Sequence, residues 1–187
     1  MIHIIYMAAG QSHRYGTNKL LEQYEGRPLY EHGLDALLRA TDGRQDCSLI
    51  VVSCWQEIER SLRAGGIRCV MCPDSHLGVS YTIRAGIAAC GTLASGDYLC
   101  FCVADQPLLR AETIARLLDV TQQTPLTACL CADGEQGNPV LFCASLAEEL
   151  CALDGDRGGK AVMRRHPERH VDVPCAAEEL HDIDIRA

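Results

Sequence analysis

Two stretches of the chain gather residues able to handle phosphate and metal. The first runs Met7-Ala8-Ala9-Gly10-Gln11-Ser12-His13-Arg14-Tyr15-Gly16-Thr17-Asn18-Lys19. Ala8, Ala9 and Gly10 leave the backbone amides bare, Gly16 permits a second unusual turn, and Ser12, Arg14 and Lys19 add a hydroxyl and two cations. That is the equipment of an anion cradle. Its glycine and lysine spacing fits neither the Walker loop nor the dinucleotide Gly-x-Gly-x-x-Gly pattern. A surface loop with exposed charges would have the same composition.

The second stretch is Val103-Ala104-Asp105-Gln106-Pro107-Leu108-Leu109, which follows an apolar run. A carboxylate placed where a strand opens to solvent suits Mg²⁺, an ion commonly held by one or two carboxylates together with substrate phosphates. A helix cap is the alternative for Asp105. A partner carboxylate is available in His181-Asp182-Ile183-Asp184, where a solvated acidic tail is the competing reading. Cys69-Val70-Met71-Cys72 has the spacing of half a zinc or redox site, but no second Cys-x-x-Cys accompanies it. His3, His13 and His76 have no motif around them and read as polar surface or loop residues.

These loops need a scaffold, and the apolar pattern supplies one. Ile2–Met7, Cys47–Cys54, Ile67–Cys72 and Tyr98–Val103 read as buried strands. Helical patterns separate them: from Pro28 with Leu29, Leu34, Leu37 and Leu38 on one face, then Gln56–Ala64, Ser80–Cys90 and Ala111–Thr121. Extended segments at Leu126–Cys131 and Pro139–Cys143, helices near Leu146–Leu153 and Lys160–Arg165, and a strand at His170–Val173 complete the pattern. Such alternation predicts a doubly wound, mostly parallel sheet with helices on both faces. Ligands of these sheets lie beyond the carboxyl ends of the strands, which marks the loops after Met7, Cys72 and Val103.

Composition bounds the rest. At 187 residues, 48% hydrophobic and 22% charged, the chain reads as one globular domain over 1–187. A net charge of −8 with no basic footprint argues against nucleic acid or an anionic membrane as partner. No run approaches a membrane span, and Met1–Ala9 lacks a signal peptide's pattern. The 12 cysteines, several alternating inside apolar runs, read as free buried thiols of a cytoplasmic protein.

In order along the chain, Met7-Ala-Ala-Gly-x-Ser-x-Arg-x-Gly-x-x-Lys19, Gly26-Arg-Pro-Leu29, Gly78-x-Ser80-x-x-Ile83-x-x-Gly86, Ala104-Asp-Gln-Pro-Leu108, Gly137-Asn-Pro-Val-Leu-Phe142, Leu153-Asp-Gly-Asp-Arg-Gly-Gly159 and Asp182-Ile-Asp184 form a set. The set resembles the MobA-like nucleotidyltransferases, and most closely their molybdenum cofactor cytidylyltransferase branch. The resemblance implies a Rossmann-like three-layer α/β/α sandwich of the nucleotide-diphospho-sugar transferase type. It also implies transfer of CMP from CTP to the terminal phosphate of molybdopterin or the molybdenum cofactor, with release of pyrophosphate. By the same match, Ala8, Ala9, Gly10, Ser12, Gly16, Lys19, Asp74 and Ser80 contact the nucleotide. Lys19 and Arg14 oppose triphosphate charge, Asp105 and Asp184 bind Mg²⁺, and the segments Gly137–Pro139 and Gly155–Lys160, with Asn138, Pro139, Gly158 and Gly159, face the acceptor.

GTP-using relatives generally carry Leu-Ala-Gly-Gly in the first loop, so Ala9 implies CTP in preference to GTP. Asn18 stands where relatives often have Pro, and Asn138 where many have His. The physical demands agree with the resemblance: an anionic phosphate nucleophile needs charge neutralisation more than a general base. Two other functions fit the same residues. One keeps the chemistry with a sugar phosphate or alcohol phosphate as acceptor. The other is a non-catalytic carrier handing the cofactor to a molybdenum hydroxylase, against which intact Lys19 and Asp105 speak.

Overall fold

The computed structural model describes residues 1–10 and 18–183. Strand β1 (Ile2–Ala8) is the hub. It pairs in parallel with β4 (Cys47–Ser53) on one side and β6 (Tyr98–Val103) on the other. Outside β4 lies β5 (Cys69–Met71); outside β6 come β8 (Glu135–Cys143), β7 (Thr127–Ala132) and β9 (His170–Pro174). The order β5-β4-β1-β6-β8-β7-β9 contains one reversed strand: β8 is antiparallel to both β6 and β7. The amino end of β8 therefore shares an edge with the carboxyl ends of all the others. Asn138 thus comes level with Met7 and Val103.

The pleat sends alternate side chains of β1 to opposite faces. Ile4 and Tyr6 join a core built with helices α1 (Leu29–Thr41), α2 (Gln56–Ala64) and α4 (Ala111–Asp119). Ile5 joins the other core, with α3 (Val79–Cys90), α5 (Ala147–Cys151) and α6 (Lys160–Met163). Three layers result, as the alternation predicts. Gly33 and Gly86 mark where helices come close to β1. A Cβ on Gly33 would stand 2.8 Å from the Tyr6 hydroxyl, and one on Gly86 2.4 Å from the Ile5 side chain.

Several expectations need correction. Leu38 does not share the buried face of α1; at 42% exposed it has rotated past the edge of the stripe that Leu29, Leu34 and Leu37 form. β8 begins at Glu135, four residues before the expected Pro139, and pairing with β7 shifts register between Cys129 and Leu130. Opposite that shift lies the cis Asn138–Pro139 bond, an irregularity of the kind that lets Pro sit inside a sheet. The loop Pro73–Gly78 contains a 3₁₀ helix, Pro73–Leu77. A small ribbon of β2 (Gln23–Tyr24) and β3 (Arg27–Pro28) was not foreseen. Its two-residue turn has positive φ at both Glu25 (47°) and Gly26 (87°), the primed geometry that suits a hairpin.

His3 is not a surface residue. It is buried, with Nδ1 bonded to Ser48 Oγ (3.0 Å) and Nε2 3.4 Å from Asp97 Oδ2. Asp97 also accepts from the amino terminus (2.9 Å) and from the Ala94 amide (2.8 Å). Burial pushes the Asp97 carboxyl up, but these donors outweigh it and hold it below the ordinary value. All 12 cysteines are free thiols. Burial raises those of Cys47, Cys69 and Cys90 to about 11 and that of Cys129 to about 12, so these four are poor nucleophiles near neutrality. Among the described residues no helix is long and apolar enough to cross a membrane.

Candidate active site

The carboxyl edge of the sheet opens into two adjoining clefts. The first has a volume of about 230 Å³. Ala9 and Gly10 after β1, Lys19 and Leu20, Ser75 and Thr82 beside α3, Ala104 and Asp105 after β6, and Asp156 line it. The second, about 240 Å³, has an apolar floor of Ile83, Phe101, Val140 and Phe142, with Asn138, Gly158, Gly159 and Lys160 around it. Met7, Val79 and Val103 line both. The two clefts are therefore continuous neighbours along the carboxyl edge of the sheet.

In the first cleft Lys19 Nζ donates to Asp105 Oδ2 at 2.9 Å, with the two side chains 15% and 23% exposed. Lys19 opens a single 3₁₀ turn, Lys19–Leu21, pinned by buried Leu20 and capped by Asn18, whose Oδ1 accepts from the Leu20 amide at 3.1 Å. Asn18 thus fixes the turn by hydrogen bonding. Asp105 sits in the turn after β6, and its carbonyl accepts from the Ile183 amide at 2.8 Å. Gln106, behind it, donates to the Leu180 carbonyl and to Asp182, each at 3.1 Å. The chain's last described segment is thus tied to the aspartate turn. The buried Ser75 hydroxyl has no hydrogen-bond partner among the described residues, although it lines the cleft.

Between the clefts lies the segment 153–159, held down from α3. Arg84 donates to the Leu153 carbonyl at 2.6 Å, with its guanidinium 4.3 Å from the Tyr81 ring centre. The Ser80 amide donates to the Gly155 carbonyl at 3.1 Å. Gly78, at φ +130°, lets that carbonyl come close: a Cβ there would lie 2.2 Å from the Gly155 carbonyl carbon. Gly159 rests on Phe142, whose ring would be 2.7 Å from an added Cβ.

Residues 4–171 match the MobA-like NTP transferase domain. The chain belongs to that family. A relative named molybdenum cofactor guanylyltransferase, from Shewanella sp. strain ANA-3, is 26% identical over 155 residues, which cover 81% of this chain and 74% of the relative. Rv0371c from Mycobacterium tuberculosis H37Rv superposes with a TM-score of 0.75 at 25% identity, covering 98% of this chain and 92% of the other. Its manganese complex gives 0.74 at 23% over 98% and 93%. A nucleotidyl transferase from Methanothermobacter thermautotroptrophicus gives 0.76 at 23%, over 98% and 92%. The Rossmann-like, mostly parallel α/β/α architecture is therefore that of this nucleotidyltransferase family.

Of the residues expected at the nucleotide, Ala9, Gly10 and Lys19 line the first cleft, together with Asp105, expected as a metal ligand. Ala8 is wholly buried, its carbonyl accepting from the Ser53 hydroxyl at 2.9 Å. Asp74 and Ser80 line neither cleft. Asp74 is exposed on the 3₁₀ turn, whereas Ser80 is buried and uses its amide to dock Gly155. Their neighbours Ser75 and Thr82 take the cleft positions instead. Asn138, Gly158 and Gly159 line the second cleft; Pro139 does not. Ser12, Arg14, Gly16 and Asp184 lie outside the described residues. Within the segment Gly155–Lys160, expected at the acceptor, Lys160 lines the second cleft with Gly158 and Gly159, whereas Asp156 lines the first; which side chain faces which cleft depends on the docking of Gly155.

Proposed function

We propose that this family member transfers CMP from CTP to the terminal phosphate of molybdopterin or its molybdenum-loaded form. An acceptor phosphate oxygen attacks the α-phosphorus, a new P–O–P bond forms, the α–β bridge breaks, and pyrophosphate leaves with its electron pair. The observation that carries the reading is the pair of adjoining clefts with three lining residues in common. One is lined by an ammonium and two carboxylates, those of Lys19, Asp105 and Asp156; the other has an apolar floor of Ile83, Phe101, Val140 and Phe142 able to take a heterocycle. The name of the Shewanella relative supports a molybdopterin-type acceptor.

Lys19 opposes the charge that gathers on the leaving pyrophosphate, which is where a fixed cation accelerates phosphoryl chemistry most. Among the described residues nothing would meet a Cβ on Gly10 and nothing bonds the Ser75 hydroxyl, so both suit contact with the nucleotide. The oxygen donors of Asp105 and Asp156 on one cleft fit a hard divalent ion, and we assign Mg²⁺ to them, with Asp184 joining from the tail. Bound there, Mg²⁺ would neutralise phosphate charge. The manganese complex of Rv0371c supports divalent-ion use. Ala9 on the cleft wall supports CTP over GTP, because its methyl narrows the approach to the backbone.

Incubating the protein with each NTP in turn, with Mg²⁺ and molybdopterin, and following pyrophosphate, tests the proposal. Release with CTP that requires molybdopterin is expected. Release that proceeds with a sugar phosphate and not with molybdopterin would transfer the reading to that acceptor class.

A further inference from the structure

Outside both clefts, three side chains with metal-ligating atoms converge on the outer strands of the sheet. β7 and β9 pair in parallel with Thr127 opposite His170 and Cys129 opposite Asp172. Spacing of two on each strand sends all four side chains to one face. Cys129 Sγ lies 3.7 Å from His170 Nε2 and 3.6 Å from Asp172 Oδ1, and Nε2 lies 2.9 Å from Oδ1. Gln136 of β8 closes the group, its Nε2 being 3.0 Å from His170 Nε2 and 2.8 Å from Asp172 Oδ1. Hydrogen bonding alone does not account for every contact. If Asp172 accepts from both nitrogens, His170 and Gln136 face each other at 3.0 Å with no bond; if Gln136 donates to His170, the ring nitrogen's lone pair faces the carboxylate.

We propose that Cys129, His170 and Asp172 form a binding site for a borderline-soft divalent cation of the Zn²⁺ class. Tetrahedral zinc with its usual bond lengths sets ligand separations of roughly 3.6 Å for S–N and S–O and about 3.4 Å for N–O. The observed triangle needs only its shortest edge to open. A sulfur, an imidazole and a carboxylate select Zn²⁺ or Co²⁺ over Mg²⁺. Thr127 Oγ1, 2.8 Å from His170 Nδ1, holds the ring from behind so that Nε2 faces inward, the outer-shell contact that metal-binding histidines keep. Asp172, 49% exposed, provides the way in, and water, or Gln136 Oε1 once its amide has turned over, completes the fourth position. Binding exchanges the Cys129 thiol proton, released to solvent, for a sulfur–metal bond. The ion would tie edge strand β9 to β7.

The test is Co²⁺ titration of the reduced, chelator-treated full-length protein with Mg²⁺ in excess to fill oxygen sites. One equivalent with a sulfur-to-cobalt charge-transfer band is expected, bleached by one equivalent of Zn²⁺. Cys129→Ser and His170→Gln should each abolish the band, and Thr127→Val should weaken affinity about 10-fold. Absence of the band overturns the proposal, as does a band that survives both ligand variants, which would place the sulfur on another cysteine. Should buried Cys129→Ser fail to fold by circular dichroism, the more exposed His170→Gln decides: unchanged binding there refutes the site.

Discussion

Replacing Gly78 by alanine probes the join between the two clefts. Gly78 has φ +130° and ψ 165°, a region that only glycine occupies freely, and an alanine held there costs on the order of 1–3 kcal/mol. The new methyl would lie 2.2–2.3 Å from the carbonyl carbon and oxygen of Gly155, backbone atoms that have no rotamer to escape into. The segment 153–159 must therefore move, and the Ser80 amide loses its 3.1 Å bond to Gly155, worth about 1 kcal/mol. Together the loss is about 2–4 kcal/mol, which for a domain of this size lowers Tm by roughly 5–15 °C. Asp156, Gly158 and Gly159 travel with that segment, and a misplacement of about 1 Å in a reacting constellation can cost about 10²-fold in rate. Thermal melts and acceptor-dependent pyrophosphate release on Gly78→Ala are the assays. Gly10→Ala, whose methyl would meet nothing within 4 Å among the described residues, is the stability control and should melt within about 2 °C of wild type. A Gly78→Ala protein with wild-type Tm and wild-type kcat/KM would refute the docking account.

Asp105→Ala should keep the fold but lower Tm, because the largely buried Lys19 ammonium loses its 2.9 Å carboxylate, and should cut turnover by about 10²–10³, measured as Mg²⁺-dependent pyrophosphate release. Lys19→Ala should lower kcat as well as kcat/KM, since its charge matters most as pyrophosphate departs; a pure KM effect would reassign it to ground-state binding. Ala9→Gly should move the ratio of kcat/KM for CTP and GTP toward GTP, by up to about tenfold for each 1.4 kcal/mol the methyl imposes. The Asp97 carboxyl is held below its ordinary value in the folded state, so its share of stability is present above the unfolded pKa and is lost as pH falls through the folded one. Asp97→Asn should flatten the fall of Tm with acid below about pH 4 relative to wild type.

The layered fold was legible because it rests on burial and periodicity. Ile2–Ala8, Cys47–Ser53 and Tyr98–Val103 are nearly continuous apolar runs, and such runs mark central parallel strands. β8 was read short because Gln136 and Asn138 interrupt the apolar pattern before the cis Pro139. Lys19, Asp105 and Gly10 were legible as site residues because strand ends and glycine-rich turns announce themselves locally. The place of Asp156 in the first cleft was not, since it depends on Gly78 and Gly155 touching across 77 positions of chain. His3 deceived for the same reason: its partners, Ser48 and Asp97, are remote in sequence and adjacent only across the sheet. The Cys129, His170 and Asp172 cluster likewise exists only through the pairing of β7 with β9.

The central claim concerns what is joined to what, and product mass reads that directly. With equimolar CTP and GTP, Mg²⁺ and molybdopterin in one vessel, the account predicts a single dominant product of mass equal to molybdopterin plus CMP less water, absent when Asp105→Ala replaces the wild type. A product carrying GMP would contradict the nucleotide assignment, and no nucleotide-linked pterin alongside unchanged CTP would contradict the reaction itself.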